Sequence, residues 1–119
     1  MATTKIDTNA IARSAVKGSG EVAEILNSAL CGAENVVGKL RWLHDGDRFQ
    51  AEALDATHQL LYFMEGEGTI NLENKDYEVG KGAGIYLGPK ETASIRPRAN
   101  SDVKLFHLVV PIKAELQLD

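Results

Sequence analysis

Few side chains in this chain can do chemistry. There are three histidines, His44, His58 and His107, and a single cysteine, Cys31. An imidazole titrates near neutral pH and suits general acid/base work. His107 sits in VKLFHLVVP with Leu105 and Val109 two residues to either side. A histidine among aliphatic neighbours must find a hydrogen-bond partner or stay near water. Glu52 is a carboxylate in the alanine-rich stretch AEALDA. Burial would raise its pKa and make it a base, whereas a solvated strand end would leave it ordinary. Lys39 and Arg41 share one face of an alternating segment, a pair suited to an anionic substrate if that face lines a cavity. On a sheet edge they would simply be solvated. His44-Asp45 lies at a turn and is expected to cap it. Cys31 has no base beside it in sequence and reads as an inert thiol. GKGAG (80–84) is no phosphate loop, because no Gly-Lys-Ser/Thr follows it.

The elements that must position these groups read as strands. Glu21–Leu26 is a short one. Asn35–His44 alternates, with Lys39, Arg41 and Leu43 opposing Leu40, Trp42 and His44. Trp42 is expected in the core. Phe49–Leu54 follows a turn at Asp45-Gly46-Asp47. Thr57–Met64 is the strongest strand, rich in aromatic and aliphatic residues. Glu65-Gly66-Glu67-Gly68 bends the chain. Thr69–Leu72 and Tyr77–Val79 flank a hairpin turn at 73–76. Ile85–Leu87, Thr92–Arg96 and Val103–Val110 complete the set, and Pro111 ends the last strand. Short strands with glycine-rich turns predict an all-β sandwich or barrel. Residues 1–18 read as a partly extended N-terminal arm, with a helix over Asn9–Lys17 as the alternative. Residues 19–113 form one domain, and 114–119 a loose tail.

The 119 residues suit one domain with a core of its own. A net charge of −4 gives no footprint for nucleic acid or anionic membrane. One cysteine excludes an internal disulfide framework and fits a reducing compartment. No apolar run approaches a membrane span, and the N-terminus lacks the apolar block of a signal peptide. The expectation is a cytoplasmic chain.

The stretch QLLYFMEGEGTINLENKDYEVGKGAGIYLGPKETASIRP, followed by VKLFHLVVP, resembles a cupin domain of the small RmlC-like kind. The resemblance runs from Val36 to Pro111. It implies a jelly-roll barrel with a pocket between its sheets. Most cupins bind a divalent metal through two motifs, G-x5-H-x-H-x3-4-E-x6-G and G-x5-P-x-G-x2-H-x3-N. Anchoring the first on Gly66 puts Gln59 at the Glu position. The two His positions then fall on Glu52 and Leu54, or on Ala53 and Asp55. Anchoring the second on Gly82 puts Gly88, Lys90 and Ala93 at its Pro, Gly and His positions. Every usual ligand has departed, so no family-type metal and no other cofactor is expected.

The resemblance implies that His107 projects into the pocket, with Leu105 and Val109 on the same face. The expected catalytic pair is His107 with Glu52. Gln59, Tyr86, Phe63 and Arg41 are expected to contact substrate. His58, Leu60, Tyr62 and Met64 point outward as an apolar stripe, with Val36, Val37, Ile6 and Ile11 added to it. Such a stripe implies an isologous homodimer. The function expected first is a metal-independent isomerase, epimerase, dehydratase or lyase acting on a small polar metabolite. A non-catalytic ligand-binding or sensor cupin is the alternative. A third reading is a metal-dependent dioxygenase or isomerase with a shifted site on Glu52, Gln59 and His107.

Overall fold

The computed structural model describes residues 5–32 and 36–111. The strands are β1 (Ser14–Ala15), β2 (Glu21–Leu26), β3 (Val37–Leu43), β4 (Phe49–Ala51), β5 (Thr57–Glu65), β6 (Gly68–Leu72), β7 (Lys75–Val79), β8 (Gly84–Leu87), β9 (Ala93–Pro97) and β10 (Val103–Pro111). They form a six-stranded sheet in the order β1-β2-β3-β10-β5-β8 and a four-stranded sheet in the order β4-β9-β6-β7. Every pairing is antiparallel. This is the cupin jelly-roll.

Alternation along each strand sends every second side chain into the space between the sheets. In β5, Thr57, Gln59, Leu61 and Phe63 are buried while His58, Leu60 and Tyr62 are exposed. The core draws on both sheets: Leu43, Leu61, Phe63 and Leu105 from the larger, Phe49, Ile70 and Ile95 from the smaller.

Local chemistry adjusts several expected boundaries. The β6–β7 turn is tighter than the four residues expected. Leu72 pairs with Lys75, and both Glu73 (φ 51°) and Asn74 (φ 65°) take the left-handed conformation of a two-residue hairpin turn. At Gly66 φ is 84° and a Cβ would fall 2.0 Å from the Asp102 carbonyl oxygen, so only glycine lets this bend close on the start of β10. The arm is partly built into the larger sheet, because β1 pairs with β2. The alternative of a helix over Asn9–Lys17 is not formed; Thr8–Ala10 make one 3-10 turn and Ser14–Ala15 are extended. Trp42 is not in the core. It is half-buried on the outer face of β3, where the Arg13 guanidinium stacks 3.7 Å from its ring centre. The cap of the β3–β4 turn is Asp47, whose carboxylate accepts from the His44 amide at 2.8 Å. The His44 ring instead bridges Asp102 at 3.1 Å and Glu21 at 3.3 Å. The tail at 114–119 and the Cys31 side chain lie outside the described residues. Among those described, no helix is long and apolar enough to cross a membrane.

Candidate functional site

A cavity of about 410 Å3 lies between the sheets at one end of the barrel. Three strands of the larger sheet build one wall. β3 presents Val37, Lys39 and Arg41, β5 presents Gln59, and β10 presents His107 and Val109. The pairing register sets them side by side. Lys39 lies opposite His107, and Gln59 opposite Val109. Phe49, Gln50, Glu52 and Leu54 close the other side, and Glu24 of β2 completes the lining.

A chain of hydrogen bonds fixes the polar groups. The Gln59 side-chain amide donates to the Glu52 backbone carbonyl at 2.9 Å. That leaves the Gln59 carbonyl oxygen facing His107, whose Nε2–H donates to it at 2.7 Å. The proton therefore sits on Nε2, and Nδ1 carries a lone pair. This Nδ1 is buried without a hydrogen-bond partner among the described residues. Phe49 meets the imidazole edge-on, with ring centres 5.5 Å apart. Burial first, then the charges of Lys39 and Arg41, push the His107 pKa down to about 4. The ring is thus neutral at physiological pH.

Arg41 is held from two sides. Its guanidinium lies 3.9 Å from the Phe49 ring centre and donates to the Ser19 carbonyl at 3.1 Å. That carbonyl can reach it because Gly20 adopts φ 73°, with no room for a Cβ 1.9 Å from the Trp42 carbonyl oxygen. Burial lowers the Arg41 pKa from its ordinary value. Its Nε, like His107 Nδ1, is buried without a partner among the described residues.

The fold family's divalent metal does not fit this donor set. Such an ion needs three or four converging nitrogen or oxygen donors. Among the described residues no three His, Cys, Asp or Glu side chains converge so. Here the lone imidazole has its Nε2 tied to Gln59, and the charges of Lys39 and Arg41 oppose a dication beside it.

Of the residues expected at the site, the fold brings His107, Glu52, Gln59 and Arg41 to one cavity. Phe63 and Tyr86 are placed elsewhere. Phe63 faces inward but is 0% exposed, sealed in the core beyond Leu61. Tyr86 lies opposite Leu60 on the outward face of β8 and is 58% exposed. Its hydroxyl is hydrogen-bonded to His58 Nδ1 at 2.6 Å. Val37, expected on the outer stripe, lines the cavity because it shares the inward face with Lys39 and Arg41. Sequence reasoning missed Glu24 and Phe49. The signal for Glu24 was its register with Lys39, which appears only once β2 is paired with β3.

Comparison with known proteins agrees with this architecture. A family model described as the AraC-like ligand binding domain matches residues 39–114. An uncharacterized protein from Methanocaldococcus jannaschii is 35% identical over 49 residues, covering 41% of this chain and 39% of that protein. The match thus spans well under half of that relative. The crystal structure of a predicted oxalate decarboxylase from Thermotoga maritima superimposes with a TM-score of 0.79 at 17% identity, over 92% of this chain and all of that one. The polyketide cyclase RemF from Streptomyces resistomycificus gives 0.76 at 15% identity, over 94% and 81% of the two chains. KdgF from Halomonas gives 0.74 at 10% identity, over 98% and 100%. At these identities the structures share the fold alone. With a sequence match over most of its length and a jelly-roll around a lined cavity, the chain belongs to the AraC-like ligand binding domain family of the cupin superfamily.

Proposed function

We propose that the barrel cavity is a recognition site for a small molecule and that the chain works as a ligand-binding cupin. The observation that carries this is the state of His107. One ring nitrogen donates to Gln59 and the other is buried. With its pKa near 4, the imidazole is a poor proton acceptor at neutral pH. It acts as a fixed wall of the cavity, held by Gln59 and packed on Phe49. The mixed lining, aliphatic with a few convergent polar groups, suits recognition of a small ligand. Membership in a family described as ligand-binding supports the same reading.

A second reading is an enzyme: a metal-independent isomerase, epimerase, dehydratase or lyase. Glu52 favours it, because it is an exposed carboxylate on the cavity lining, open to a substrate. In that reading Glu52 moves the proton, and His107 with Gln59 only positions the ligand.

One experiment separates the two. The 15N-labelled protein is titrated in D2O-containing buffer with a panel of hydroxy acids, sugar acids and neutral sugars, and the small-molecule signals are followed for a day. Recognition predicts saturable shifts of the amides at Lys39, Arg41 and Val109, with the added compound unchanged. New product signals, or deuterium entering a carbon adjacent to a carbonyl, would establish turnover if they vanish in Glu52→Gln. A panel that leaves those amides unmoved would defeat both readings of the cavity.

A further inference from the structure

We infer that the ligand is a small organic monoanion, its carboxylate received by Arg41 with Lys39 beside it and its apolar part lying along Val37, Leu54 and Val109. This deepens the recognition reading and rests on it. Arg41 is only 8% exposed, yet among the described residues no carboxylate forms an ion pair with it or with Lys39. Among the described residues its one hydrogen bond goes to a neutral backbone carbonyl, and its Nε has no partner. A buried charge is normally paired, because removing it from water is costly. A guanidinium carries five donors in a planar fork that matches a carboxylate, so most of this donor capacity is unspent. Stacking on Phe49 and the bond to Ser19 hold the fork in place before anything binds. Lys39, two residues along the same face, adds a second positive charge to the lining.

The acidic residues limit the ligand to one negative charge. Glu24 lies opposite Lys39, and its carboxylate accepts from Asn27 Nδ2 at 2.9 Å. Glu52 is exposed on the lining. A second carboxylate on the ligand, or a dianionic phosphate, would meet these two groups and be repelled. An aliphatic or aromatic segment ending in one carboxylate meets the cations at one end and Val37, Leu54 and Val109 along its length.

The test uses pairs of probes that match in shape and differ in charge: hexanoate with hexanamide, benzoate with benzamide, and adipate as the diacid. Binding is read from amide shifts at Arg41, Lys39 and Val109. The expected result is at least tenfold tighter binding of each monocarboxylate than of its amide, with adipate weaker than hexanoate. Arg41→Met keeps an unbranched apolar side chain at this position and removes the charge; it is expected to abolish the preference. Lys39→Met, at a half-buried position, is expected to reduce it several-fold and serves if the Arg41 variant does not fold. Amides binding as well as acids, or a preference unchanged in a folded Arg41→Met or in Lys39→Met, would overturn the anion assignment and leave the cavity as a site for neutral ligands. Silence with all five probes would overturn it too. The recognition reading falls with it only if the metabolite panel is also silent.

Discussion

The two ends of the barrel interior are built on the same strands and behave in opposite ways. At the closed end, β3 contributes Leu43, β5 contributes Phe63, and β10 contributes Val103 and Leu105, all essentially inaccessible. Two to four residues further along, the same inward faces carry Arg41 and Lys39, Gln59, and His107. The backbone pairing runs through both ends, with Leu43 opposite Val103 and Lys39 opposite His107 in one ladder. Pocket and core therefore differ in side chains, not in architecture. Where Leu and Phe face one another the sheets pack shut. Where polar groups stand among aliphatic ones, each must be satisfied, and two atoms, Arg41 Nε and His107 Nδ1, find no partner among the described residues. The closed end supplies stability, and the open end gives up some of it for a preformed cavity.

That division can be broken at either end. The largest effect is expected from Phe63→Ala, which leaves a void in the closed end and should cost about 3–5 kcal/mol. Urea unfolding measures it. A loss under about 1 kcal/mol would mean that the closed end is not the main source of stability.

Next is acid. The His107 pKa is depressed to about 4 in the folded chain, whereas an unfolded histidine titrates near 6.5. The unfolded state thus takes up the proton first. The stability that depends on a neutral His107 is complete above about pH 6.5 and falls as the pH drops towards 4. It amounts to about 3 kcal/mol by linkage, an order-of-magnitude figure. Unfolding free energies between pH 7 and 4 should fall more steeply in the natural chain than in His107→Leu. Equal slopes would show that the ring is not held neutral by burial.

The smallest effect belongs to His44, which makes the opposite contrast. It is exposed, and hydrogen bonds to Asp102 and Glu21 raise its pKa. Its contribution is fully present below the unfolded value and fades as the pH rises through the folded one. For so exposed a pair it should be about 0–1 kcal/mol and shrink in high salt. A His44→Gln variant compared at pH 5.5 and 8 tests this. A gap that widens at pH 8 would contradict the sign.

Much of the architecture was legible because period-two alternation is a local property. Thr57–Met64 shows its inward and outward sets without any partner, and the order of turn residues carried the likeness to a cupin. The inward direction of His107 came from that likeness, and the structure places the ring on the cavity lining. Depth along the barrel was not legible. Phe63 and Gln59 share one face of β5, and nothing in their spacing says that one is sealed and the other lines a cavity. Tyr86 failed for a related reason, since its face is set by pairing with Leu60. Trp42 was expected in the core, but its place in the alternation of β3 puts it outside, under Arg13.

The sequence by itself determined most of the strands and the alternation along them, because both depend on residue type and near-neighbour spacing, and the likeness to cupins showed which positions had lost the usual metal ligands. Only the tertiary structure decided which residues are brought side by side on the cavity wall. Glu24 lies opposite Lys39 in register, Gln59 bonds to His107, and the Ser19 carbonyl accepts from Arg41, over separations of 15, 48 and 22 residues. Those meetings follow from strand register and from close approaches such as Gly20 against Trp42. Register and closure are long-range packing outcomes, fixed by burial of one whole face of each strand at once.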